Sequence, residues 1–341
     1  MFVIRPIQEK DYPELLNIAE ESGHGFTSLP VNEEQLTNKI ARAQASFQNN
    51  DTSKPGEYGY LFVMEDVETG AIMGTSGVES AVGLTDAFYH YHLGTVIHNS
   101  RELNVYNTAE ILTLCNDYTG ATELCTLFLR EPFRAGFNGR VLSKVRFLFL
   151  AQNRERFANT VIAEMRGVSN EQGESPFWHW LEEHFFSMDF PTADYLTGIG
   201  QKVFIAELMP KYPVYVKLLS EAAQAVIGKV HEKTTPALKL LQSEGFSWKG
   251  YVDIFDAGPT VEADIEQIRT VRNSDLFTVS IVEQMQGDKV VMMTNTEVAD
   301  FRATAVKAVL NEELKTVEIS QQVADILMVT KGAQVRAANL L

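Results

Sequence analysis

Two short apolar runs, separated by one helix-like segment, limit this chain most. Leu124 to Leu129 is a nearly unbroken apolar stretch within ELCTLFL. A strand that is apolar on both faces belongs in the middle of a sheet. Arg130, Pro132, Gly136 and Gly139 then break the run. Val141, Leu142, Val145, Leu148 and Phe149 recur at helical spacing, which predicts a helix over about 138–157. TVIAEMRGV, from Thr160 to Val168, reads as a second central strand. A chain that alternates inner strands with an amphipathic helix folds as layered α/β, with helices covering a sheet.

The flanking segments extend that pattern. FVIRPI reads as a strand and DYPELLNIAEES as a helix, with Asp11 as its cap and Glu14 at capping-box spacing. A loop over 23–30 precedes a helix from Asn32 to about Phe47. The segment 59–80 reads as a hairpin turning at Glu68-Thr69-Gly70, and YHYHLGTVIH as a strand. Residues 99–120 read as polar loop. SPFWHWLEEHFF is a helix capped by Ser175 with Pro176 at its first position. Another helix is read over 214–226, and TTPALKLLQSEGF repeats the device with Thr235, Pro236 and a stop at Gly245. SPFWHWLEEHFFSMDF and TPALKLLQSEGFSWKGYVDIF share one form, helix then aromatic strand, which suggests a partial duplication near 200–257 or the ordinary grammar of α/β units. After Asp256-Ala-Gly-Pro-Thr260 short alternating segments dominate. We therefore divide the sequence into a large α/β unit over 1–257 and a small, mostly β accessory unit over 258–341.

Composition excludes several classes. A formal net charge of −16 argues against nucleic acid, which needs a basic face to replace counterions. No apolar run of about 18 residues exists to span a membrane. The start lacks the pattern of a signal peptide. Cys115 and Cys125 have no metal or redox spacing and read as free thiols of a reducing, cytoplasmic compartment.

Against that acidity, the segment after Leu129 gathers Arg130, Arg134, Arg140, Lys144 and Arg146. A central strand, a glycine-bearing loop and a helix start rich in cations make an anion site. The first N–H groups of a helix lack partners within it, and its dipole is positive there. Glycine allows close approach to the backbone. Arg134 and Arg140 can add charge-assisted hydrogen bonds. The alternative is a solvated helix start with ordinary surface arginines.

Arg134-Ala-Gly-Phe-Asn-Gly139, after a strand and before a helix, resembles the acyl-CoA signature of the GCN5-related N-acyltransferase superfamily. Phe137 stands where that signature has its middle glycine, and Gly136 lies one residue early. The element order is similar as well. Longer phrases resemble the arginine N-succinyltransferase family: TSLPVNE, GVESAVGL, ELNVYN, NGRVLSKVRF, VIAEMRGV, TGIGQKVFIAELMPKYPVY, VIGKVH and YVDIFDAGPT. The likeness runs from residue 1 to about 270.

The resemblance implies a mixed sheet flanked by helices. It implies transfer of a succinyl group from succinyl-CoA, as cosubstrate, to L-arginine, with no permanently bound cofactor. It places Arg134, Gly136, Asn138, Gly139 and Arg140 on the coenzyme's pyrophosphate and the thioester near the backbone of Leu127. His231, in VIGKVHEKTTPA, matches the family's proton donor. From its own position His231 reads as a surface histidine at the start of a helix. Some family members form two-subunit enzymes, which implies a homo-oligomer or a hetero-oligomer with a related subunit.

Glu164 and Arg166, two apart in AEMRG, are candidates to grip the substrate's cationic and carboxylate ends, or to pair with each other or with neighbours in the core. Glu79 is a candidate for the guanidinium. His90, His92 and His98 suggest a metal, but no ligand set completes one, and they read as exposed strand histidines. Of Trp178 and Trp180 at most one can be core. Cys125 reads as a buried, inert thiol. Two other readings stay open: an N-acyltransferase for another amine such as ornithine, and a CoA-binding regulatory module without catalysis.

Overall fold

In the computed structural model, residues 1–23, 26–52, 56–170 and 172–340 are described. His24 and Gly25 of the loop read over 23–30 therefore lie outside the described residues. β1 (Phe2–Pro6), α1 (Tyr12–Ser22) and α2 (Glu33–Gln48) lead into the hairpin β2 (Gly59–Asp66) and β3 (Ile72–Glu79). Asp11 does not cap α1 with its side chain, because the Arg5 guanidinium holds that carboxylate at 2.7 and 2.8 Å. Asn32 does cap α2, accepting from the Gln35 amide at 3.0 Å.

β4 (His90–Ser100) and β5 (Val105–Cys115) form a hairpin paired in register from His90↔Cys115 to Ser100↔Val105. The stretch 99–120 is thus mostly strand, not loop. Its outer half projects so that both faces meet solvent, and the inward–outward alternation that marks a strand is missing from its sequence.

β6 (Thr122–Leu129), α3 (Asn138–Gln152) and β7 (Thr160–Glu164) follow in the order read, α3 ending at Gln152 rather than near 157 and β7 at Glu164 rather than Val168. α4 (Pro176–Leu181) is capped by Ser175, whose Oγ accepts from the Trp178 amide at 3.4 Å. The strand expected after it is instead α5 (Phe190–Gly198), then α6 (Val203–Leu208). The helix read over 214–226 divides into β8 (Val214–Tyr215) and α7 (Glu221–Val226). α8 (Thr235–Glu244) has Thr235 inside it rather than as cap, and Gly245 ends it at φ 106°. β9 (Ser247–Val252), β10 (Pro259–Asp264) and α9 (Arg269–Asn273) complete the larger unit. The strand-rich end comprises β11 (Asp275–Ile281), β12 (Val290–Thr294), β13 (Ala303–Lys307), β14 (Leu310–Asn311), β15 (Thr316–Ile319), α10 (Gln321–Leu327) and β16 (Gln334–Asn339).

All these strands join one sheet, in the order β14-β15-β11-β16-β12-β13-β1-β2-β3-β6-β7-β10-β9-β4-β5-β8. β6 lies at its centre, antiparallel to β3 and parallel to β7. The linker read near 258 is corrected by this order. β10 is paired with β7 on one side and β9 on the other, and Gly258, Pro259 and Thr260 are buried. We place the change of unit after α9, where β11 begins a separate set of strands with its own apolar cluster.

The two units are not independent cores. Phe62 of β2, Phe149 of α3 and Phe301, before β13, meet ring to ring with centroids 5.1–5.2 Å apart. One face of α3 therefore rests on strands from both ends of the chain. Among the described residues no helix is long and apolar enough to cross a membrane.

Candidate active site

The site begins where β6 leaves its ladder. Against β3, Cys125 pairs with Gly77 and Phe128 with Thr75. Thr126 and Leu127 therefore stand opposite the single residue Ser76, a β-bulge. Thr126 takes φ 52°, the left-handed region that β-branched residues avoid. On the other side β6 and β7 share only the pairs Thr122↔Val161 and Glu123↔Ile162. Beyond them the ladder ends, beside the bulge and Leu127. Strained backbone next to unpaired strand edge is a common mark of a functional site.

β6 leads through a short turn over Glu131–Phe133 to the start of α3. Arg134, Gly136, Gly139 and Arg140 are exposed there. Gly136 takes φ 58° with open space around it, so here the glycine is needed for conformation. The first bond of the α3 ladder runs from the Val141 amide to Phe137 O, 3.0 Å, leaving the amides of Gly139 and Arg140 ahead of it. Asn138 ties the loop by donating from Nδ2 to Phe133 O, 3.0 Å. Arg134 folds back, donating from Nε to Leu129 O at 2.8 Å with its guanidinium over the Phe128 ring.

The other cations of the cluster are elsewhere. Arg130 pairs with Glu14 and Glu21 of α1 at 2.5 and 2.7 Å. Lys144 is buried against Glu244 of α8 at 2.8 Å. Arg146 is buried on the Ser143 carbonyl and hydroxyl, 2.9 Å each, and burial pulls its pKa down to about 10. Only Arg134 and Arg140 thus remain exposed at the loop.

A second feature lies on the face of β6 that carries Glu123. Glu123 is the register partner of Glu79 on β3. Glu164 ends β7, and its Oε1 is 2.9 Å from Nε2 of His90. His90 is fully buried, which corrects its reading as an exposed strand residue. His92 is half-buried against the Tyr251 ring, and His98 is exposed beside Tyr215. Among the described residues no group of side chains could hold a metal ion. Burial pushes Glu123 up to about 8, and the Glu164 and Glu79 charges add to the shift. Burial likewise lifts Glu164 to about 8, with Asp253 adding to it, and pulls His90 down to about 4. Glu79 is already engaged, its carboxylate accepting from both terminal nitrogens of Arg42 at 2.6 and 3.2 Å. Cys125 is held as a thiol, pushed up to about 12 chiefly by burial.

Arg166 lies past the end of β7 and does not share a strand face with Glu164. It donates from Nη2 to Ser169 Oγ at 3.0 Å, while its buried Nε lacks a partner among the described residues. His231 comes to the same place. Its amide donates to Arg166 O at 2.8 Å, and the adjoining residues form the bridge Gly167↔Val230. The imidazole caps the turn Glu232–Thr234, with Nδ1 accepting from the Lys233 amide at 3.1 Å. That bond leaves the neutral ring's proton on Nε2, the donor tautomer. Burial, and then the Arg166 charge, lower the pKa below the ordinary histidine value.

Sequence reasoning named His231, Arg166 and Glu164 separately, and the structure brings His231 to Arg166 just past the end of β7, while the loop residues gather at one helix start as read. It missed Glu123, and it misread His90 as exposed. Glu123 was legible in outline, as a lone acid at the mouth of an apolar strand.

Comparison with known proteins gives the family. Residues 2–270 match the family model described as arginine N-succinyltransferase beta subunit, and residues 276–339 match that of its C-terminal domain. An arginine N-succinyltransferase from Yersinia pseudotuberculosis serotype O:3 (strain YPIII) is 46% identical, covering all of this chain and 98% of that protein. One from Salmonella schwarzengrund (strain CVM19633) is 47% identical with the same coverage. The solved structure of arginine/ornithine succinyltransferase subunit AI from Pseudomonas aeruginosa superposes with a TM-score of 0.92 at 35% identity, covering all of this chain and 99% of that one.

Proposed function

The chain belongs to the arginine N-succinyltransferase family, and on that footing we propose that it moves the succinyl group of succinyl-CoA to the α-amine of L-arginine. The products are N2-succinylarginine and free coenzyme A. The reading requires no permanently bound cofactor. The observation that carries the site assignment is the bulge at Thr126–Leu127 where β6 parts from β7, one loop away from the exposed start of α3.

The pyrophosphate lies on the amides at that helix start, with Arg134 and Arg140 beside it. Arg134 leaves Leu129 O to reach it. The pantetheine follows the gap between β6 and β7 to a thioester at Leu127. A backbone amide freed from the ladder by the bulge faces the oxyanion, and a fixed dipole aimed at developing charge costs no reorganisation. Glu164 takes the cationic end of the acceptor, whose charge favours the ionised carboxylate, and Arg166 its carboxylate. Glu79 holds Arg42 and leaves the substrate to these two.

The α-ammonium releases one proton to solvent before attack and a second as the amide forms. The departing thiolate gains one. His231 delivers it from Nε2 as an imidazolium and is recharged by the amine's second proton, its Nδ1 giving up the Lys233 amide contact while the ring is charged. His231→Gln keeps the size of the side chain but carries no imidazole. It should lower kcat roughly 10²–10⁴-fold with succinyl-CoA affinity retained. Near-normal turnover would leave His231 only its role as a cap.

The Pseudomonas relative's name also includes ornithine. Parallel assays with arginine, ornithine and lysine, reading free thiol, decide whether arginine leads here. We also infer assembly as a homo-oligomer or with a related subunit. The β4–β5 hairpin supports this by exposing Ile97, Leu103 and Tyr106 at its tip. A cytoplasmic setting is in keeping with Cys115 and Cys125, both free.

A further inference from the structure

Beside the bulge, on the α2 side of the sheet, is a narrow crevice, partly open to solvent, lined by Lys39, Arg42, Gly77, Glu79, Cys125 and Thr126 among others. Its room depends on two glycines. A Cβ on Gly77 would come within 3.1 Å of Cys125 Sγ, and one on Gly59 within 3.0 Å of the Arg42 guanidinium. Two cations, three residues apart on α2, share this wall. They are in different states. Arg42 is saturated, paired with Glu79 and donating from Nε and Nη2 to Glu57 O at 3.2 and 2.6 Å. Lys39 is half-buried, and among the described residues no carboxylate lies within ion-pair distance of it. Its charge acts on Glu123 and Cys125, the two groups that burial keeps protonated. With Arg42 and Glu79 cancelling each other, the crevice holds one uncompensated positive charge.

That charge disfavours a cationic amine and favours an anion. The crevice wall includes Cys125 and Thr126, the residues immediately before the proposed thioester position at Leu127. A succinyl group differs from an acetyl group by a methylene and a free carboxylate, so the carboxylate must end within a few ångströms of the thioester carbon.

We propose that Lys39, in the crevice beside the Thr126 bulge, binds the free carboxylate of the succinyl group and thereby selects a dicarboxylic acyl donor over a neutral one. The inference rests on the reading of the thioester at Leu127 given above. Arg42 is a positioning residue, fixed by Glu79 so that the wall of α2 stays in place.

The test compares the full-length wild type with Lys39→Met and Lys39→Arg, for binding and turnover of succinyl-CoA and acetyl-CoA with arginine. A charge-assisted contact is worth about 1.5–3 kcal/mol. The preference for succinyl-CoA should therefore fall roughly 10- to 150-fold in Lys39→Met. Acetyl-CoA binding and the KM for arginine should be nearly unmoved, and Lys39→Arg should recover much of the preference. Equal losses for both acyl donors, or a change confined to the arginine KM, would overturn the assignment. Calorimetric binding needs no turnover. A wild type that bound succinyl-CoA selectively yet left arginine untouched would therefore fault the reaction and not the Lys39 contact.

Discussion

At the scale of single residues, the charges of this site are arranged to oppose their ordinary protonation. Glu123 and Glu164 sit near 8 and His90 near 4. A carboxyl raised above its unfolded value of about 4.3 stabilises the fold fully below that value, and the benefit is lost as pH rises through 8. His90 has the opposite sense. Its contribution is complete above the unfolded value of about 6.5 and is lost as pH falls toward 4. Stability is therefore squeezed from both sides. Glu164→Gln should raise the thermal midpoint at pH 8.5, by roughly 2–4 °C for each kcal/mol regained, and change it little at pH 4.5. It should also weaken turnover of arginine. An equal shift at both pH values, read by calorimetry, would show that its ionisation is not what the fold resists. At the loop, Arg134→Ala should weaken succinyl-CoA binding roughly tenfold or more. Gly139→Val should do so more strongly. A Cβ there meets only Leu129 Cδ2, at 3.6 Å, so the added side chain would obstruct the coenzyme rather than the fold. Unchanged calorimetric binding in both variants would remove the loop from the site.

At the scale of elements, α3 connects the proposed phosphate loop to the rest of the molecule. Its buried Lys144 is matched by Glu244 at the end of α8, and Glu244 also accepts from the Thr270 amide at 2.7 Å. Removing Lys144 leaves the buried Glu244 carboxylate only the longer contact to the part-exposed Arg269, 3.4 Å, and the Thr270 amide. Lys144→Met should destabilise the protein by about 3–5 kcal/mol, whereas a double change to Met and Leu should recover much of it. Urea titration of the three proteins checks this, and equal midpoints for all of them would contradict it.

The elements also show what the sequence could convey. β6, α3 and β7 were legible because burial on both faces and a 3.6-residue stripe leave local marks. The burial of Lys144 and Arg146 was not legible, since their surroundings come from residues distant along the chain or from the fold of β6. β5 was hidden because its outer half has no inside. His90 looked exposed because its packing against Tyr118 and Glu164 is tertiary. His231 was placed by resemblance. Its local sequence indicates only the turn that its ring does in fact cap.

At the scale of the whole molecule, one sheet runs through both units, and the Phe62–Phe149–Phe301 contacts fasten them across α3. A chain ending at Asn273 would expose that side of α3. It should unfold at a markedly lower temperature than the full chain and bind succinyl-CoA less well. A shortened protein with unchanged melting would mean that the strand-rich end is a separate module. The change of texture near residue 258 did not predict this continuity, because Pro259–Asp264 looks like linker until its two partner strands are present.

The central claim is the transfer itself, and product mass tests it most directly. Purified protein, succinyl-CoA and L-arginine labelled on the guanidino carbon should give one equivalent of succinylarginine for each free coenzyme A. Fragmentation should place the succinyl group on the α-nitrogen. Coenzyme A released without succinylarginine, or succinylation at the guanidinium, would contradict the account.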